Sequence, residues 1–419
     1  MKILVFAFAC DPTKGSEPNF GFNLAAGLVD AGHQVWVITQ SKGKAGIEAE
    51  QARNPRANLH FLYLDLSPRW HKWYNNQLGM YAFYLKWQYK AGNLGKNLDK
   101  KEGFDLCHHI TWGSFQLGTG AVLVGKPFVY GPCGGGQFAL PMFKEYFLQG
   151  WRSEVLRKYV SNFLVTANPL LKKTLAHKQC CVVASNQDTF DMAKRLRAKR
   201  VVLFSDPALP QEAWKPEVRI RHRTDAPLQL IWTGRLAPRK GLKFTLWALS
   251  LVDKRVPFHL TILGDGQQGK DVPTWIKTFG LEDRVTWRGA VPWAQVLEAY
   301  AAADLFVFTT LRDSVAAQYL EAMAEGLPVV TLNMNGAVTF VPDAAGYKIP
   351  VSNPPQMAAE VARAIEDFYD HPEKWQAMSH AAREQAFAYL WPQKIAYYEE
   401  LYQNLLAAAP KKARELVSA

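Results

Sequence analysis

The stretch Ala303–Leu332, ADLFVFTTLRDSVAAQYLEAMAEGLPVVTL, reads strand, loop, helix, strand, and this order limits the fold more than any other feature of the chain. Leu305–Phe308 and Val329–Leu332 are short apolar runs of the kind that form buried parallel strands. Between them Ser314–Glu325 has helical composition, with Gly326 as a stop and Pro328 just beyond it. At about 100° per residue, Val315, Ala316, Tyr319, Leu320, Met323 and Leu327 form the packing face. Asp313, Ala317, Glu321 and Ala324 fall on a neighbouring face, where alanines beside two carboxylates leave room for a ligand. Taken alone, Asp313 would serve equally as a helix cap and Glu321 as a solvated position. The loop before the helix lies at the carboxyl end of a strand, where open α/β sheets bind their ligands.

The same alternation runs through the rest of the chain. Ile3–Ala9 is an apolar strand, followed by the loop CDPTKGSEPNFG, a helical run FNLAAGLVDAG and the strand QVWVIT. Gly15, Ser16 and Glu17 precede that helix, where backbone N–H groups favour an anion. The strands NLHFLYLDL, FDLCHHITW and KPFVYGPCGGG follow, then CVVASNQD and KRVVLFSDPALP. His108 and His109 end a strand close to Trp112, Gly113 and Ser114, and Gly134–Gly136 makes a second flexible loop. After Glu212–Ala226, polar and interrupted by Pro216, the pattern restarts with LQLIWTG, HLTILGDG and RVTWRGAV, each trailed by helical sequence. Asn353–Asp370, Pro372–Tyr389 and Pro392–Leu406 are helical, and a basic tail, Lys411–Arg414, closes the chain. Doubly wound parallel sheets are the fold class this implies.

Length suggests about two to three domains. A hydrophobic fraction of 48% and a charged fraction of 21% are those of an ordinary globular protein. No apolar run approaches the roughly 20 residues of a membrane span, and MKILVFAFACDP reads as a first buried strand, not a signal peptide. Five cysteines, odd in number and without metal-ligand spacing, fit a reduced cytoplasm. A net charge of +12 points to an anionic partner. Pro68–Lys101 and Met142–Tyr159 interleave aromatics (Trp70, Trp73, Tyr81, Trp87; Phe143, Tyr146, Trp151) with lysine and arginine. Such segments suit a membrane interface or stacking on nucleic acid. Core-packing helices with solvated lysines explain the alternation equally well.

Four strand-end loops of the second half carry polar groups in order. Arg235 and Lys240 share RLAPRKG; Gly264–Gly266 is a GDG turn; Arg288–Gly289 follows a strand; Asp313 and Glu321 complete the set. An Arg–Lys pair on one loop suits a diphosphate, through a forked guanidinium and a mobile ammonium. A carboxylate such as Glu321 can accept both hydroxyls of a ribose, and Asp313 those of a sugar. Together these describe a nucleotide-sugar site.

TGRLAPRKG, ILGDG, WRGAV and D-x7-EAMAEGLPVV, in this order, resemble the donor half of the retaining glycosyltransferases of family GT4, with the GT-B fold. GSEPNFGFNLAAGLVDAGHQVWVIT resembles that family's first loop and helix, and DLCHHIT its D-x-x-H-x-H stretch. The resemblance implies two Rossmann-like domains facing across a deep cleft. Residues 1–212 would bind acceptor, 213–226 link the domains, 227–390 bind donor, and 391–419 hold a helix returning to the first domain, with a tail. Arg235 and Lys240 would bind the diphosphate, Glu321 the ribose and Asp313 sugar hydroxyls, with His108 or His109 facing the donor sugar. The implied donor set is Gly15, Ser16, Gly234, Arg235, Lys240, Gly264, Gly266, Arg288, Val291, Asp313, Ser314, Val315, Ala316 and Glu321. Glu17, Trp112 and Gly135 would meet the acceptor.

Three departures stand out. Asp313 replaces the usual Glu, Val315 and Ala316 replace glycines, and the histidines are adjacent instead of spaced by one. No metal or other cofactor is expected. The implied reaction moves a sugar from a nucleotide-diphosphate sugar to an acceptor hydroxyl, in synthesis of a polysaccharide, glycolipid or lipid-linked glycan. The setting would be the cytoplasm, with contact to an anionic membrane face left open and nucleic acid excluded as a partner. A soluble small-molecule acceptor, a nucleotide-sugar epimerase and a catalytically weak nucleotide-sugar-binding subunit are the competing readings.

Overall fold

The computed structural model describes residues 1–15, 17–75, 77–147, 150–214 and 226–408. Ser16, the polar stretch 215–225 with Pro216 and its arginines, and the basic tail lie outside them, as does the side chain of Trp73.

Among the described residues two wholly parallel sheets form, one per half. The first contains β1 (Lys2–Ala7), β2 (Gln34–Thr39), β3 (Leu59–Tyr63), β4 (Leu106–Thr111), β5 (Phe128–Cys133), β6 (Cys180–Ala184) and β7 (Val201–Leu203), in the order β3-β2-β1-β4-β5-β6-β7. The second contains β8 (Leu228–Thr233), β9 (Phe258–Leu263), β10 (Val285–Trp287), β11 (Leu305–Val307), β12 (Val329–Leu332) and β13 (Gly346–Ile349), in the order β10-β9-β8-β11-β12-β13. All six residues of β4 and β5, and all of β11 and β12, are buried, because helices cover both faces and leave no solvated side to alternate toward.

In each sheet the strand order reverses once, between β1 and β4 and between β8 and β11. There the connecting chains diverge to opposite faces and leave a crevice at the carboxyl ends of the strands. Register brings the crucial residues level: Phe6 pairs with His109, and Phe306 with Ile231.

Several contacts among the described residues tie the lobes. The helix Trp391–Ala407 returns to the first lobe, burying Ile395, Tyr398, Tyr402 and Leu405 in its core against Leu24 and Leu28 of the helix Glu17–Asp30. Phe143, Tyr146 and Phe147, although carried by the first half, belong to the second lobe's core, where Tyr146 meets the ring of Phe244 at 5.6 Å. Lys394 is wholly buried, donating to the carbonyls of Ser205 at 2.6 Å and Pro207 at 2.9 Å beneath the rings of Phe204 and Tyr389. Burial pulls its ammonium down to about 7, partly offset by the nearby Asp206.

The aromatic segments serve mainly as core. Phe83, Tyr84 and Trp87 of the long helix Gln77–Glu102 are almost completely buried. Among the described residues no helix is long and apolar enough to cross a membrane.

Candidate active site

Both crevices open onto one cleft of about 790 Å³ between the lobes. On the second-lobe side, β8 runs into RLAPRKG, whose last turn, Pro238–Lys240, ends at Gly241 in the left-handed conformation (φ 74°). A side chain at Gly241 would strike the Thr309 carbonyl, its Cβ falling 2.1 Å away, so the loop can lie flat on the neighbouring β11 loop. The carbonyl of Arg239 fastens the two together, accepting from Leu311 N (2.8 Å), Arg312 N (3.2 Å) and the Thr310 hydroxyl (2.9 Å).

This clasp sets the electrostatics. Asp313 accepts from Lys240 Nζ in a close ion pair and from Arg239 Nη1 at 3.2 Å. Burial alone would raise the Asp313 carboxyl; the Lys240 ammonium and the Arg239 guanidinium more than offset that and hold it below the usual range. Lys240, only 6% exposed, also sits 5.2 Å above the Phe308 ring. Arg235, on the same loop, is exposed and lines the cleft. Glu321 lines it as well, accepting from the Tyr300 hydroxyl at 3.3 Å, and burial raises its carboxyl.

The helix begins at Ala317, three residues later than its composition predicts. Asn186 of the first lobe donates to the Ser314 hydroxyl at 2.8 Å, and Ala316 stays extended (φ −85°, ψ 124°). Ala316 provides no side-chain cap, so the first-turn amides open toward the cleft, with Val315, Ala316, Ala317 and Gln318 lining it.

The opposite wall comes from the first lobe. Glu17 starts its helix, with Pro18 pre-shaped for the first turn, and accepts from Gly113 N at 2.6 Å. Burial lifts its carboxyl to about 6; the Gly113 bond opposes the rise and Asp206 adds to it. Trp112 and Gly135 also line the cleft. Gly134 lies so near Ser314 that a Cβ there would be 2.5 Å from the Ser314 hydroxyl. Arg312 reaches across to Glu154, with Nη2 at 3.0 Å and Nε at 2.8 Å from its carboxylate oxygens.

Residues 227–367, which carry the cation loop and both carboxylates, match the family model described as Glycosyl transferases group 1. An uncharacterised glycosyltransferase of Methanocaldococcus jannaschii is 23% identical over 368 residues, spanning 82% of this chain and 84% of that protein. Sucrose-phosphate synthase of Thermosynechococcus elongatus superposes with a TM-score of 0.65 at 18% identity, over 97% of this chain and 100% of that one. Anabaena HepE in complex with UDP superposes with a TM-score of 0.59 at 18% identity, over 96% of this chain and 100% of that one. Residues 227–367, the second half of the chain, are thus similar to the group 1 glycosyltransferases. The chain's fold is GT-B.

The fold brings Arg235, Lys240, Asp313, Ser314, Val315, Ala316 and Glu321 to one wall of the cleft and Glu17, Trp112 and Gly135 to the other. Gly15, Gly234, Gly264, Gly266, Arg288 and Val291 stand outside its lining. Gly264 and Gly266 instead support the cation loop from behind. A Cβ at Gly264 would fall 1.9 Å from the Gly234 carbonyl, and one at Gly266 2.7 Å from that of Leu236.

The two histidines lie deeper than the residues that line the cleft. Both are fully buried and neither lines the cleft. His108 donates from Nε2 to the Gly131 carbonyl (2.8 Å) and accepts at Nδ1 from the Tyr402 hydroxyl (2.6 Å); burial drives it down to about 3 and keeps it neutral. His109 donates from Nε2 to the Trp112 carbonyl at 3.0 Å, so it braces the tryptophan from behind. Arg239, Arg157, Asp206 and Asn186 are site residues the sequence reading passed over. Arg239 stands between the two cations it did single out, and Asn186 caps a helix whose SNQD start was on view.

Proposed function

We propose that this protein is a GT4-like, retaining glycosyltransferase, moving a sugar from a nucleotide-diphosphate sugar to an acceptor hydroxyl without a metal. One observation carries the reading: at the switch point of the second sheet, Arg235, Arg239 and Lys240 converge with Asp313 and Glu321 on a single cleft. The diphosphate lies against Arg235 and Lys240, where fixed positive charge stabilises the phosphate oxygen as the bond to the sugar breaks. Asp313 keeps the buried Lys240 protonated for that task, and its carboxylate also meets sugar hydroxyls. Glu321, beside Tyr300, receives the ribose. The acceptor hydroxyl attacks from the side of Glu17, Trp112 and Gly135, and its proton passes to the leaving phosphate. A protein of the same fold, Anabaena HepE, holds UDP in its structure, and the same class of donor is assigned here.

The acceptor is a lipid-linked glycan or glycolipid precursor, which places the protein at the cytoplasmic membrane face. A thermal-shift screen of UDP-, GDP- and ADP-sugars tests the donor, since a ligand of the native state alone raises apparent stability. At least one series should raise Tm and, with acceptor, give a product of unchanged anomeric configuration. Inversion, isomerised donor without acceptor, or no stabilisation by any series would overturn the reading.

A further inference from the structure

An apolar groove of about 410 Å³ runs between the helices Gln77–Glu102 and Trp151–Ala167, away from the donor loops. Its eight lining side chains include no charged group. Leu78, Tyr81, Ala82 and Leu85, at helical spacing, form one wall; Tyr159 and Phe163 stand on the other. Such apolar exposure is unusual: Leu78 is 58% exposed, Tyr159 69% and Phe163 66%, with Leu156 of the same stripe at 55%.

Two further observations say what fills it. The groove adjoins the cleft, because Tyr81 lines both, and Met80 and Arg157 line the cleft beside it. Its surroundings are basic. Lys86, Lys90, Arg152 and Lys158 are exposed on the same helices. The first helix carries no acidic residue before Asp99, and Glu154, the one acid of the second, is already held by Arg312 and Arg157. Positive charge around an apolar furrow attracts an anionic headgroup while the furrow takes the chain.

We propose that the groove binds the hydrocarbon chain of a phosphate-bearing acceptor lipid whose headgroup enters the cleft at Tyr81 and Arg157. The assignment rests on the transferase reading for the role of the lipid, though not for its binding. Dodecyl phosphate is the probe, titrated against the full-length chain and against Tyr159→Glu and Phe163→Glu, whose exposure lets the fold tolerate a charge. A nucleotide that stabilises the wild type reports independently on the donor side. The wild type should bind the probe, each variant about tenfold more weakly, with nucleotide stabilisation unchanged. Equal binding by wild type and both variants would overturn the proposal. So would a dimer that the variants dissociate while probe binding persists, since the groove would then seat a second copy. Absence of any nucleotide effect on the wild type would contradict the donor reading alone and leave the groove result standing.

Discussion

Asp313 shows how one shortened side chain changes a site. A carboxylate there, one methylene nearer the backbone than glutamate, lies on Lys240 and within 3.2 Å of Arg239. Asp313→Asn would strand a buried ammonium, and broken buried pairs typically cost about 3–5 kcal/mol. Urea denaturation should show a loss of that order, and a loss under about 1 kcal/mol would mean that Lys240 has another partner. Glu17 titrates in an accessible range. Its folded value of about 6 lies above the free value of 4.5, so folding takes up a proton there, and this group's contribution to stability declines as pH rises from 4.5 past 6. The acceptor-binding role proposed for Glu17 requires the opposite condition, an ionised carboxylate. For the acceptor, kcat/KM should therefore fall as pH drops through about 6, and Glu17→Gln should remove that inflection. The two histidines sit more deeply than their residue type suggests. A histidine pair at a strand end looks available in a sequence, yet β4 is central to its sheet, and both rings are covered by partners as distant as Tyr402.

At the scale of elements the alternation of apolar runs and amphipathic stretches was highly legible. All six positions assigned to the packing face of the helix in Ala303–Leu332 are buried. The short β13 escaped notice because three of its four residues, GYKI, are only partly buried at an edge and carry little apolar signal. Helix starts moved for tertiary reasons, as at Ala317, where Asn186 from the other lobe holds the Ser314 hydroxyl and Ala316 stays extended. The GDG turn has a supporting role that its composition did not disclose. Gly264→Ala places a side chain at φ 134° against the Gly234 carbonyl, and it should cost about 2–4 kcal/mol in melting experiments. Because the displaced neighbour is the cation loop, nucleotide affinity should fall with it; a variant that melts early yet binds normally would separate the turn from the site.

Across the whole molecule, function depends on two sheets holding their crevices face to face. No periodicity encodes that relation. It arises from long-range contacts: Glu154 with Arg312, Asn186 with Ser314, and the returning helix on the first lobe. Glu154→Ala removes the carboxylate from Arg312 and Arg157 together. Small-angle scattering should then report a larger radius of gyration, and nucleotide affinity should fall about five- to tenfold as the closed arrangement becomes less populated. An unchanged radius and affinity would show that the remaining ties suffice. The most direct test of the account is calorimetric titration of nucleoside diphosphate, set beside the bare nucleoside, into wild type and Arg235→Ala. Arg235 is exposed and away from the buried clasp, so the variant should keep its fold and its affinity for the nucleoside while losing about ten- to a hundredfold for the diphosphate. Equal diphosphate affinity in the two proteins would contradict the claim that the cation loop receives the donor's phosphates.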